Sequence, residues 1–145
     1  MEDLYHGRVM ELAADIPHVG RLEHADGAAT KVSRVCGSVV TVELNLKDGV
    51  VSEIAVHPKA CALGQAATGV LAMNAIGATP EEIHAARDAL KAMLKDGAPP
   101  PAGRFWELRH LEGVRAYPAR HASTMLAFEA AVDAVEQAKA KALAT

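Results

Sequence analysis

Two cysteines are the most reactive side chains in this 145-residue sequence, and neither stands where a plain packing residue would. Cys36 lies in Arg34-Val35-Cys36-Gly37-Ser38, beside a glycine that permits a turn and lets a ligand approach the backbone closely. Cys61 lies in Pro58-Lys59-Ala60-Cys61-Ala62, at the start of an Ala-rich stretch of helical character. The thiolate is both the nucleophile and the metal ligand of cysteine chemistry, and the positive end of a helix favours it. The spacing of the pair matches no standard zinc pattern. A shared role therefore has to be created by folding.

A β-hairpin supplies the folding argument. Val40, Val42, Leu44 and Leu46 alternate with Thr41, Glu43 and Asn45, the pattern of a half-buried strand. Lys47-Asp48-Gly49 carries the Asp-Gly turn signal, and Val50 to His57 follows with Ile54 and Val56 on one face. A tight turn brings the outer ends of its two strands together. Cys36, just ahead of the first strand, and Cys61, just past the second, are thus expected to be neighbours. Other readings remain open: Cys36 as a small buried hydrophobe, or a thiol enzyme with Cys36 or Cys61 as nucleophile and a nearby histidine as base. His57 and His121 are the histidines placed to help a metal; His6, His18, His24, His84 and His110 read as solvated.

The remaining elements must position this pair. Residues 3–14, with Leu4, Val9, Met10, Leu12 and Ala13, read as an amphipathic helix stopped by Pro17 and Gly20. Residues 29–33 are a candidate third strand. Residues 62–76 form a helix ended by Gly77, with Gly69 a weak point inside it. Thr79-Pro80-Glu81-Glu82 is a helix start with a capping box, followed by the stripe Ile83, Ala86, Leu90 and Met93 up to Gly97. After the connector 98–103 come a short helix over Phe105 to Leu111 and a last helix from near Ser123. The face of that last helix is Met125, Phe128, Val132 and Val135. Residues 136–145 read as a fraying tail. The order predicts an α+β fold, a small antiparallel sheet of about three strands packed against several helices in a single domain over 1–145.

Composition excludes several classes. A net charge of −3 and a pI near 6.1, with basic residues scattered, point away from nucleic acid and anionic membranes. No apolar run is long enough to span a bilayer, and the first residues do not read as a secretory signal. The cytoplasm, with both thiols reduced, is the expected compartment. There is no Gly-rich phosphate loop, HExxH or CxxC motif.

Taken in order, VMELAADIPHVGRLEHADG, VCGS before the hairpin, PKACALGQAATGVL and GVRAYPARHASTMLAFEAAVDAV resemble the U-type iron–sulfur cluster assembly scaffolds (IscU, SufU and the N-terminal domain of NifU). The resemblance runs from Leu4 to Val135. FWELRHLEGVRAYPAR after the connector is closer to the SufU and NifU style, and the Leu-Pro-Pro-Val-Lys chaperone motif of IscU is absent. The resemblance implies an IscU/SufE-like fold and no enzyme activity. It also implies a [2Fe–2S] cluster or zinc held by three cysteines and an aspartate. The first two cysteines match Cys36 and Cys61, the aspartate matches Ser38, the third cysteine matches Ser123, and the His or Lys before it matches Ala122. Metal binding is therefore expected through Cys36 and Cys61, with Ser38 and Ser123 completing the cofactor site. The implied partners are a cysteine desulfurase, apo iron–sulfur acceptor proteins and a second copy in a homodimer. Because serine is a poor ligand at neutral pH, the alternative is a degenerate paralogue that keeps the fold and a partner-binding or regulatory surface without building clusters.

Overall fold

A computed structural model describes residues 5–144 of the chain. The hairpin consists of β2 (Val39–Lys47) and β3 (Val50–Lys59), paired antiparallel with Lys47 opposite Val50. Asp48 and Gly49 form the two-residue turn, both at positive φ (55° and 81°), which suits the right-handed twist of the strands. Val40, Val42 and Leu44 are fully buried, as the alternation requires; a register shift between Asn45 and Leu46 leaves Leu46 half-buried. The candidate third strand is β1 (Gly27–Val32), antiparallel to the other edge of β2 in the order β1-β2-β3. It begins before Ala29 and stops at Val32, so Ser33 lies in the connection and not in the strand. The outer edge of β3 is covered: Val56 N donates to His18 O (2.9 Å) and Gly20 N donates to Val56 O (3.0 Å).

The described residues include four α-helices, α1 (Gly7–Ala14), α2 (Ala62–Asn74), α3 (Pro80–Asp96) and α4 (His121–Ala144), of which α2 and α4 pack on the sheet. Helix α1 starts later than residue 3; Met1 to Leu4 lie outside the described residues. In α3 the capping box forms as expected. Thr79 Oγ1 accepts from Glu82 N (3.1 Å), Glu82 Oε1 accepts from Thr79 N (3.0 Å), and Gly97 closes the helix at φ 68°. Glycine 69 is less a weakness than a crossing point: a Cβ there would collide with the Leu12 carbonyl of α1.

Helix α4 lies across β1 and β2 and packs against α2 and α3. It buries Met125, Phe128, Val132 and Val135, and also Ala127, Ala130, Ala131 and Ala134, whose small side chains allow close approach on several sides. It continues through the segment expected to fray, with Ala138 buried and Lys141 Nζ 3.2 Å from Asp26. The expected short helix at 105–111 is instead a longer 3-10 stretch over Gly103–Ala116, which buries Phe105, Leu108, Leu111 and Val114. Phe105 meets Phe128 edge to face at 5.4 Å. A single hydrophobic cluster joins all these elements, in the α+β arrangement the sequence predicts. Among the described residues no helix is long and apolar enough to cross a membrane.

Candidate functional site

Cys36 sits in the connection between β1 and β2. Ser33 N donates to Ser38 O and Gly37 N donates to Ser33 O, both at 2.8 Å, so the six residues 33–38 close into a compact turn. Gly37 adopts φ 73°, a left-handed conformation that glycine takes without cost, and nothing lies within 4 Å of the place a Cβ would occupy. The turn thus presents Cys36 at an open lip, and the thiol is exposed rather than part of the core. Its Sγ is 3.0 Å from Ser38 Oγ and 3.6 Å from Ser33 Oγ. Both serines are buried, each only 3% exposed, so their hydroxyls are held in place beneath the sulfur. Hydrogen bonding with Ser38 is the largest influence on the thiol, followed by that with Ser33, and Ser123 adds to them. Together they lower its pKa to about 7. The thiolate is thus more populated near neutral pH than in an ordinary cysteine.

Cys61 is the residue immediately before α2, with φ −66° and ψ 170°, and its side chain makes no capping bond. Its thiol faces Ser123 Oγ at 3.7 Å, while Ser123 Oγ itself donates to Arg120 O at 3.1 Å. Gly64 is what permits this approach. A Cβ on Gly64 would lie 3.0 Å from both the Ser123 carbonyl oxygen and Ala60 Cβ, tighter than such contacts normally are. The first turn of α2 therefore rests directly on the first turn of α4. Cys61 is half-buried and packs against the core.

Three separate elements thus bring Cys36, Ser38, Cys61 and Ser123 together, with the Ser123 hydroxyl against Cys61 and also acting on Cys36. Ser33 joins them, and sequence reasoning missed it. Its place depends on where β1 ends, and no alternation marks that end. The histidines do not join. His57 is exposed on the sheet face that carries Thr41, its partner across the strands. His121 is buried with Nε2 within 3.1 Å of Val114 O and 3.2 Å of Arg115 O, so that nitrogen ties α4 to the preceding 3-10 stretch. Among the described residues no group of three or more His, Cys, Asp or Glu is placed to hold a metal ion, so neither histidine completes a ligand set. His110 departs from the solvated position expected of it. It is partly buried beside Glu107, which Arg8 clamps through two bonds of 2.7 and 2.9 Å, and burial lowers its pKa.

Thiols set against fixed hydroxyls can bind a soft metal or exchange with sulfur compounds. Against known proteins, the family model described as the NifU-like N-terminal domain matches residues 4–144. The crystal structure of a nitrogen-fixing NifU-like protein (N-terminal) from Brucella abortus is 48% identical, with 97% of each chain covered and a TM-score of 0.94. The iron-sulfur cluster assembly scaffold protein IscU 1 of Archaeoglobus fulgidus is 30% identical over 92 residues, which are 63% of this chain and 60% of that relative's length. The scaffold protein IscU of Thermotoga maritima is 23% identical over 92% of this chain and 94% of its own.

Proposed function

This chain belongs to the NifU-like N-terminal domain family, and on that premise we propose that it is an iron–sulfur cluster assembly scaffold-like protein carrying a [2Fe–2S] cluster or a zinc ion as cargo through Cys36 and Cys61. The observation that carries this reading is that each thiol lies against a buried serine hydroxyl, Cys36 against Ser38 at 3.0 Å and Cys61 against Ser123 at 3.7 Å. The donor set fits such cargo only in part. Zinc and iron–sulfur clusters favour thiolate sulfur and four ligands, and one chain offers two thiols and hydroxyls that stay protonated at neutral pH. A single copy then holds its cargo weakly. A second copy in a homodimer, bringing its own Cys36 and Cys61, would supply the missing thiolates. In this reading a cysteine desulfurase delivers sulfur, apo acceptor proteins take the cluster, and the single domain works in the cytoplasm as a holder and not as an enzyme.

The serines at 38 and 123 also favour a second reading, in which the fold and its partner-binding surface persist as a regulatory module that builds no cluster. Iron, sulfide and zinc analysis after reconstitution without oxygen separates the two. The wild type is expected to retain sub-stoichiometric metal, and the Ser38→Asp/Ser123→Cys variant, which restores a carboxylate and a thiolate, several-fold more. No retention by the wild type with clear retention by the variant would favour the regulatory module. No retention by either would place the metal site elsewhere.

A further inference from the structure

The two edges of the sheet are treated differently. His18 and Gly20 pair with Val56 along β3, whereas no backbone segment pairs with the outer side of β1 among the described residues. In the β1–β2 ladder Gly27, Ala29 and Lys31 stand opposite Leu44, Val42 and Val40. The bond from Ser33 N to Ser38 O continues that series, so the odd-numbered residues are the ones turned toward β2. The N–H and C=O groups of Ala28, Thr30 and Val32 therefore point outward. Gln137 Oε1 of α4 accepts from Ala28 N at 3.1 Å, as this parity requires. The outward backbone groups of Thr30 and Val32 have no hydrogen-bond partner among the described residues, and both residues are exposed. The edge is open there.

Beside that edge lies an open groove of about 470 Å³, lined by Lys31 and Val32 of β1, Met125 and Leu126 of α4, and Lys91 and Lys95 of α3. With β1 on one wall and α3 on another, the helix layer continues past the last strand. A strand added to β1 at the usual spacing of about 4.8 Å would lie over this groove, with alternate side chains entering it. Glu129 lines the groove as well, but Arg87 holds it at 3.4 Å, and Asp133 holds Lys31 at 2.8 Å. Lys91 and Lys95 have no ion-pair partner among the described residues, so the unbalanced charge is positive.

We propose that this edge is a peptide-binding site, where an extended segment of a partner protein adds antiparallel to β1 as a fourth strand. The segment is apolar where its side chains meet Met125 and Leu126, and acidic where they reach the two lysines. Bonds to the backbone of Thr30 and Val32 hold it, and the groove selects its inward side chains. A second copy of this chain does not suit the place. Antiparallel pairing of β1 with its copy keeps both helix layers on one face of the joined sheet, so the two α3 helices would compete for the space beneath the seam. The inference needs neither a metal nor either cysteine, and its failure leaves the scaffold reading untouched.

The test uses the full chain and the fluorescein-labelled peptide Thr-Val-Thr-Ile-Thr-Glu-Thr, whose Val, Ile and Glu are the inward side chains. Paired antiparallel, its threonine N–H groups face β1 and the others face away. Anisotropy measures the binding, and the amide signals of Thr30 and Val32 in NMR spectra locate it. Both amides are expected to shift and to exchange with solvent several-fold more slowly in the complex. N-methylation of the two central threonines should weaken binding about tenfold, and N-methylation of the Ile and Glu less than about twofold. Thr30→Pro removes an outward N–H and spares the ladder to β2, so it should also weaken binding about tenfold. Should that variant not fold, the methylated peptides decide the matter on the wild type alone. Lys91→Gln/Lys95→Gln should weaken binding several-fold at low salt and flatten its salt dependence. No binding at millimolar peptide, no response at Thr30 and Val32, or equal effects of the two methylation patterns would overturn the proposal. So would a dimer, seen by sedimentation, that Thr30→Pro abolishes, since the edge would then serve a second copy.

Discussion

At the scale of single residues, the thiol of Cys36 is governed by its hydroxyl neighbours. Ser38 Oγ, 3.0 Å away, is the main group that lowers its pKa to about 7. Alkylation by iodoacetamide should accordingly rise with pH through a midpoint near 7, because only the thiolate reacts. Ser38→Ala removes the nearest donor to that thiolate. Its midpoint should move up toward the ordinary thiol range, near ~8.5, and alkylation at pH 7 should slow. An unchanged midpoint would mean that Ser38 does not stabilise the thiolate. The placing of Cys36 outside the alternating run and beside Gly37 was legible from the chain, whereas Ser38 was named only through the family resemblance, at the place of its aspartate. Ser33 was not legible, because its contact with the sulfur exists only once Ser33 N closes the turn on Ser38 O.

At the scale of elements, the site depends on how closely helices approach. At the site the close point is Gly64, since a Cβ there would press on both the Ser123 carbonyl and Ala60. Gly64→Ala should lower stability by about 1–3 kcal/mol, as overpacking of a filled contact does. It should also move Cys61 away from Ser123, changing the alkylation rate of Cys61 in the folded protein. Thermal unfolding and thiol kinetics on one sample check both; full stability with unaltered Cys61 kinetics would contradict the contact. The hairpin and the start of α3 could be read in advance because each carries a local physical signal, period-two alternation with Asp-Gly in one and a capping box in the other. The end of β1 and the 3-10 stretch over Gly103–Ala116 could not. A six-residue strand leaves few periods to count, and the 3-10 stretch owes its shape to Phe105, Leu108 and Leu111 packing into a core already formed by other elements.

At the scale of the whole molecule, the two cysteines are held by separate elements of the fold. Cys36 hangs on the β1–β2 turn, Cys61 on the start of α2, and Ser123 on the start of α4, and one core ties the three together. The hairpin argument predicted that the cysteines would be neighbours. It could not foresee that the histidines would be turned to other uses, His121 to two carbonyls and His57 to the outer sheet face. The central claim is that one metal ion engages Cys36 and Cys61 together. Its most direct test is titration of the folded, reduced protein with a thiol reagent, with and without zinc, resolving the two cysteines by peptide mapping. Both thiols should react readily without zinc, and added zinc should protect them in parallel and to the same extent. Protection of one cysteine alone, or of neither at zinc concentrations well above that of the protein, would contradict a shared metal site.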